Sequence, residues 1–329
     1  MLTADCRTGR PAAKRPPVIH HLYGIDIRTP WAVAGVEGRA DGPWDVEFVE
    51  GDAETLAGAA AHVPSGQANW WAQHATPPDG STYRRWTGLF EFLVEPDARR
   101  IHARLLEAGC HEALLAYLFV DALSFSMVRL GWEPLHATAV LTPHGVAAFL
   151  GESGDGKSTM GALLVQAGSR LVTDDMLILT PHHEGYMAQA GPPRLKLYRE
   201  IAARIFGPDR DGVPMNPATE KLIIRLGEHE TAREASPLTA LYLLHEERAG
   251  GAHEQPVMGR LSPAAALPRI LAGAAAHYPS EPARLRRQFD FVTRLVQRVP
   301  IKTFSYRRDK DTMSTVRDAV LADLERSTG

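Results

Sequence analysis

The sequence predicts an α/β protein in two parts, a strand-rich first part and a second part of strands and helices around a glycine-rich loop. Three observations predict it. Short alternating apolar stretches fill much of the chain from Val18 to Val94. A long apolar run at helical spacing then closes at Gly131. Beyond it, short apolar strands alternate with helical patterns, and one such switch passes through the glycines at 151, 154 and 156. At 329 residues the chain has room for two domains. The expected boundaries are a loose arm over 1–17, an α/β accessory or recognition domain over 18–131 and a second domain over 132–329.

In the first part, "IHHLYGIDIRT" and "WDVEFVE" alternate and predict strands. Residues 51–81 predict an irregular connection. "YRRWTGLFEFLVEP" predicts one or two further strands, and "ARRIHARLLEAG" fits a strand leading into a helix. Leu115, Leu118, Phe119, Ala122, Leu123, Ser126, Met127 and Leu130 recur at three- and four-residue steps and predict one helix.

In the second part, "LHATAVLT" and "GVAAFLG" predict two strands turned at "PHG", and "KSTMGALLVQAG" predicts a helix that stops at Gly168. "RLVT" and "MLILT" predict strands on either side of Asp174 and Asp175. "PRLKLYREIAARIFG" starts extended and becomes helical, and "KLIIRL" and "LTALYLLHEE" predict strands. The tail predicts helices over 264–278, 282–299 and 312–326, with the strand "IKTFSY" before the last.

Composition narrows the function. Apolar residues make up 44% and charged residues 23%, the balance of a globular chain able to build a core. The net charge of -3 gives no reason to expect a nucleic-acid partner, since such binding rests on Lys and Arg against phosphates. Cys6 and Cys110 are the only cysteines, too few for a disulfide framework or a thiolate zinc site. Arg10, Lys14 and Arg15 are followed by no apolar run, so no signal peptide is expected, and no window offers eighteen uncharged apolar residues. The expectation is a cytoplasmic protein without a membrane partner. A homo-oligomer stays open.

The densest chemistry lies in "GESGDGKST", residues 151–159. Gly151, Gly156, Lys157 and Ser158 satisfy G-x-x-x-x-G-K-[ST], with a strand pattern before it and a helix pattern after it. A chance match in a chain of this length is expected roughly once in a hundred sequences. Glycines let backbone N–H groups turn inward on a phosphate, and the new helix adds its unpaired N–H groups and positive dipole end. Gly151, Ser153, Gly154, Asp155, Gly156, Lys157, Ser158 and Thr159 are therefore the candidate nucleotide-binding residues. Lys157 supplies charge for the β- and γ-phosphates, and Ser158 offers a hydroxyl to Mg2+.

Asp174 and Asp175 follow the apolar "RLVT". At a strand end near a phosphate loop, one carboxylate can hold Mg2+ while its neighbour accepts a proton from an attacking hydroxyl. Alone, the pair would read as an exposed turn. His136, in "LHATAV", is either a satisfied core histidine or a site residue. The remaining histidines read as loop and surface residues.

Together, "LHATAV", "GVAAFLGESGDGKSTMGALLVQAGSRLVTDDMLIL" and their order resemble the catalytic core of the HPr kinase/phosphorylase family. The likeness covers about forty-five residues. It implies a compact relative of the phosphoenolpyruvate carboxykinase core. "LYGIDIRT", "RLGWEPLHATAV" and Pro193–Leu197 further resemble the HPr-kinase-like subgroup found with peptide modification, lasso-peptide kinases included. By that likeness Asp174 would be the general base, Asp175 a metal or positioning carboxylate, and His136 a catalytic partner of the acids. Arg194 and Lys196 would be phosphate or substrate contacts, unless they form a solvated strand face. The first 130 residues depart from the family's own N-terminal domain, and its Glu-x-Arg-Gly segment is missing, so neither recognition of HPr nor the reverse phosphorolysis is expected.

The expected activity is transfer of the γ-phosphoryl group of ATP, or another nucleoside triphosphate, with Mg2+, to a serine hydroxyl. The preferred acceptor is a peptide or protein, such as the C-terminal serine of a lasso-peptide precursor. A kinase of a small serine-like metabolite and a non-catalytic nucleotide-binding regulator are the alternatives.

Overall fold

The alternating stretches of the first part become one eight-stranded sheet in a computed structural model that describes residues 16–67, 70–246, 255–273, 281–306 and 312–328. Its strand order is Gly38–Arg39, Val18–Leu22, Ile25–Thr29, Val46–Glu50, Arg100–Leu105, Phe90–Val94, Thr82–Trp86 and Ala72–Ala75. Val46–Glu50 pairs in parallel with both of its neighbours, and the other pairs are antiparallel. The segment 98–109, which fitted a strand leading into a helix, contributes the strand Arg100–Leu105. The expected irregular connection over 51–81 is instead structured. Asp52 accepts the Thr55 N–H at 2.8 Å and caps a helix, Ala53–Ala60, that buries Leu56 and Ala59.

The apolar run ending at Gly131 forms a helix against one face of this sheet, with Trp86–Tyr117, Phe90–Tyr117 and Phe48–Phe119 ring centroids 4.6, 5.1 and 5.1 Å apart. It is not one regular helix. His111–Tyr117 and Leu123–Arg129 are α-helical, and Leu118–Ala122 between them is a π turn. Within that turn, Asp121 accepts two hydrogen bonds from Arg84, both at 3.1 Å. By length and composition His111–Arg129 is apolar enough to cross a membrane, but 72% of that window is buried, and its apolar character is that of a core helix.

The chain divides into two compact units. The first ends its main run at Trp132 and also takes in Asp211–Ile223. That short excursion falls inside the range 132–329 assigned by sequence to the second domain. Its strand Val213–Asn216 packs on the helix His111–Tyr117, and Asn216 Nδ2 donates to Tyr117 Oη at 2.8 Å. The arm over 1–17 and Cys6 lie almost wholly outside the described residues, as does the end of the helix expected over 264–278.

The second unit, Glu133–Arg210 with Ile224 onward, is built on a second sheet. Ala137–Thr142 and Gly145–Leu150 form the expected hairpin. Arg170–Thr173 flanks it on one side, and Ser236–Glu246 pairs in parallel with Gly145–Leu150 on the other. Ile301–Tyr306 runs parallel to Ser236–Glu246, and Val257–Arg260 pairs with it in turn. Helices Pro263–Gly273 and Pro282–Arg298 bury Ile270, Val292 and Leu295 in one core with Ala148 and Leu241. The helix Lys157–Gln166 lies against Ala137–Thr142 so closely that a Cβ on Gly161 would stand 2.6 Å from Thr138 Cγ2. The chain is thus a mixed α/β protein with several sheets.

Candidate functional site

The strand Gly145–Leu150 is buried from Val146 onward and delivers the chain to the glycine-rich loop. Gly154 (φ +97) and Gly156 (φ +87) adopt left-handed backbone that side chains disfavour. A Cβ on Gly151 would meet Asp155 Oδ2 at 2.7 Å. Asp155 staples the loop by accepting the Glu152 N–H. Ser153 and Gly154 are exposed at its tip, and Thr159 is half-buried in the first turn of the helix that follows. The helix Lys157–Gln166 begins directly from Gly156, so its unpaired N–H groups and positive dipole end face the loop. Lys157 is buried, and its ammonium donates to the Gly151 and Glu152 carbonyls, both at 2.8 Å.

The two aspartates stand beside this loop in different environments. Asp174 is buried and accepts three hydrogen bonds. Its Oδ1 takes the Thr138 hydroxyl at 2.6 Å and the Ser158 hydroxyl at 2.9 Å, and its Oδ2 takes the Lys196 N–H at 3.0 Å. Burial pushes its carboxyl up to about 6, the charge of Asp175 adds to the shift, and the Thr138 hydroxyl opposes it.

Asp175 is more open. Its backbone is left-handed (φ +69), and its Oδ2 pairs with Lys196 Nζ at 2.6 Å. His136 Nδ1 lies 2.9 Å from the Asp175 carbonyl oxygen. A carbonyl can only accept, so Nδ1 carries the proton and Nε2 is the acceptor of the neutral ring. Burial holds the His136 pKa below its ordinary value, with the Lys157 charge acting the same way.

Contacts therefore join His136, just before the strand Ala137–Thr142, Asp174 and Asp175, in the bend after Arg170–Thr173, Lys196 on a third strand and Ser158 on a helix. Lys196 is not a bare strand-face cation. Its side chain holds one aspartate while its backbone holds the other. Arg194 stands two residues earlier on the same face of the strand Arg194–Tyr198, whose Leu195 and Leu197 turn into the core. The expectation from sequence gave Asp174 the proton and Asp175 the metal, whereas the hydroxyl of Ser158 rests on Asp174.

Two further residues touch the site without having been singled out by sequence. Thr138 sits two positions after His136, a hydroxyl between Ala137 and Ala139 in the strand Ala137–Thr142, and that contrast with its neighbours was its only signal. Tyr306, the last residue of Ile301–Tyr306, reaches the Asp155 carbonyl with its hydroxyl at 3.3 Å. Nothing local in "IKTFSY" marks it.

Chemically, the site sets a helix N-terminus and the Lys157 ammonium close to the Ser158 hydroxyl and the carboxylates of Asp174 and Asp175. Among the described residues no group of three or more His, Cys, Asp or Glu could hold a metal ion by itself.

No family model matches this chain, and no curated protein matches it. Among solved structures it is similar to the HPr(Ser) kinase/phosphatase from Coxiella burnetii, at 10% identity and a TM-score of 0.31, over 58% of this chain and 97% of that one. So loose a superposition leaves the chemistry to be argued from the residues themselves.

Proposed function

We propose that this chain is a kinase that transfers the γ-phosphoryl group of ATP to a serine hydroxyl, with Mg2+. The observation that carries the reading is the 2.9 Å contact between Ser158 and the buried carboxylate of Asp174, at the point where a glycine-rich loop becomes a helix. The resemblance of this stretch to the HPr kinase/phosphorylase core supports it. The loop N–H groups and Lys157 bind the phosphates, and Ser158 and Asp174 hold the metal. Mg2+ bound there neutralises charge on the phosphate oxygens. Asp175, on the open side, accepts the proton of the incoming hydroxyl. His136 fixes the backbone that carries Asp175. This division reverses the one expected from sequence, because three donors already occupy Asp174. Most of the rate enhancement comes from positioning and charge stabilisation. The preferred acceptor is a serine-bearing peptide or protein, with the C-terminal serine of a lasso-peptide precursor as the first candidate.

The test is mass spectrometry of candidate acceptors incubated with the protein, Mg2+ and ATP, beside nucleotide-binding titrations. Asp175→Asn is expected to keep nucleotide binding and to slow transfer by about 10²–10⁴-fold, the usual worth of a general base. Asp174→Asn is expected to weaken Mg2+-dependent nucleotide binding. The opposite pattern would restore Asp174 as the base. Binding without transfer to any peptide, protein or serine-like metabolite would favour a nucleotide-binding regulator, and no binding at all would remove the whole reading.

A further inference from the structure

We propose that Tyr306 is a positioning residue of the phosphate loop, acting through the peptide between Asp155 and Gly156. The proposal rests on the kinase reading, because it gives that peptide a phosphate to face. Tyr306 is remote in sequence from the loop, yet its hydroxyl donates to the Asp155 carbonyl at 3.3 Å. The approach is tight on the next residue as well: a Cβ on Gly156 would stand 2.7 Å from Tyr306 Oη. Gly156 thus answers two demands at once, its left-handed backbone and the space taken by the tyrosine.

The consequence follows from peptide geometry. In a planar trans peptide the C=O and N–H bonds point in opposite directions. A hydroxyl that holds the Asp155 carbonyl therefore turns the Gly156 N–H away from the ring. An orientation set before the ligand arrives lowers the cost of binding it. The ring is itself held from behind. Its centroid is 5.0 Å from that of Phe304, a buried residue whose ring lies 6.1 Å from Tyr242. Backbone pairing of Glu246 with Tyr306 carries the strand's register to the ring.

The experiment compares the full chain with Tyr306→Phe and Tyr306→Ala, measuring affinity for Mg-ATP by titration calorimetry and melting temperature without ligand. Phe keeps the ring and removes the hydroxyl. Tyr306→Phe is expected to melt as the parent protein does yet bind Mg-ATP about three- to ten-fold more weakly, the worth of one neutral hydrogen bond. Tyr306→Ala is expected to bind at least as weakly as Phe. If Phe binds as tightly as tyrosine while Ala does not, the ring only fills space and the proposal is overturned. Equal affinity in all three proteins overturns it too. Failure of the parent protein to bind any nucleotide is a different outcome and overturns the kinase reading itself.

Discussion

Asp174 is the residue on which burial and charge conflict most sharply. Its carboxyl is raised from 3.8 to about 6, so between those values the folded protein keeps a proton that the unfolded chain has released. Stability is therefore lost as pH rises from about 4 to about 6, and the loss is constant above that, where both states are ionised. Asp174→Asn cannot titrate. Its unfolding free energy relative to the parent is expected to improve across that interval and then level off. Denaturant unfolding in metal-free buffer from pH 4 to 8 measures this, and a difference that stays flat would reject the raised carboxyl. Lys157 and Ser158 were legible in sequence because their spacing from the glycines is itself the signal. The part played by Lys196 was not, because an alternating strand reads alike whether its charge faces water or an aspartate.

Among the elements, the helix Lys157–Gln166 is the one whose placement the site depends on. Its Gly161 faces Thr138, the residue that donates to Asp174 at 2.6 Å. Alanine is the better helix former by about 1 kcal/mol, so propensity alone predicts that Gly161→Ala stabilises. An added Cβ only 2.6 Å from Thr138 Cγ2 predicts the reverse. We expect Gly161→Ala to lose about 1–3 kcal/mol, the usual cost of overpacking, and to disturb nucleotide binding with it. A higher melting temperature would show that the helix can move without cost. Periodicity found this helix and the hairpin beside it. It also found the helix ending near Gly131, but missed the π turn at Leu118–Ala122. There Asp121 is held by the sheet residue Arg84, a contact that no local pattern marks.

At the scale of the whole chain, the boundary near Gly131 is not a place to cut. Residues 211–223 belong to the first unit, so a fragment beginning at Glu133 retains a strand that packs on residues it no longer contains. Val213 and Ile223 are paired across a hairpin, so the ends of the excursion lie close together. We expect fragment 133–329 to be poorly soluble, and the same fragment with 211–218, the strand Val213–Asn216 and its turn, replaced by a Gly/Ser linker that leaves Thr219–Arg225 intact to be soluble and cooperatively folded. Soluble yield and thermal unfolding of the two fragments decide it. Equal behaviour would mean that the excursion carries no packing debt.

The local pattern was sufficient for the α/β class, for most strands and helices of the second unit, and for the loop with its lysine and serine. These are set by neighbours a few residues apart, through backbone conformation and side-chain period. Folding alone decided which aspartate meets Ser158, that His136 holds a backbone carbonyl, that Lys196 bridges both acids, and that Tyr306 closes on Gly156. Each of those contacts joins residues far apart in the chain, and no periodicity records a distance that exists only once the sheet has formed.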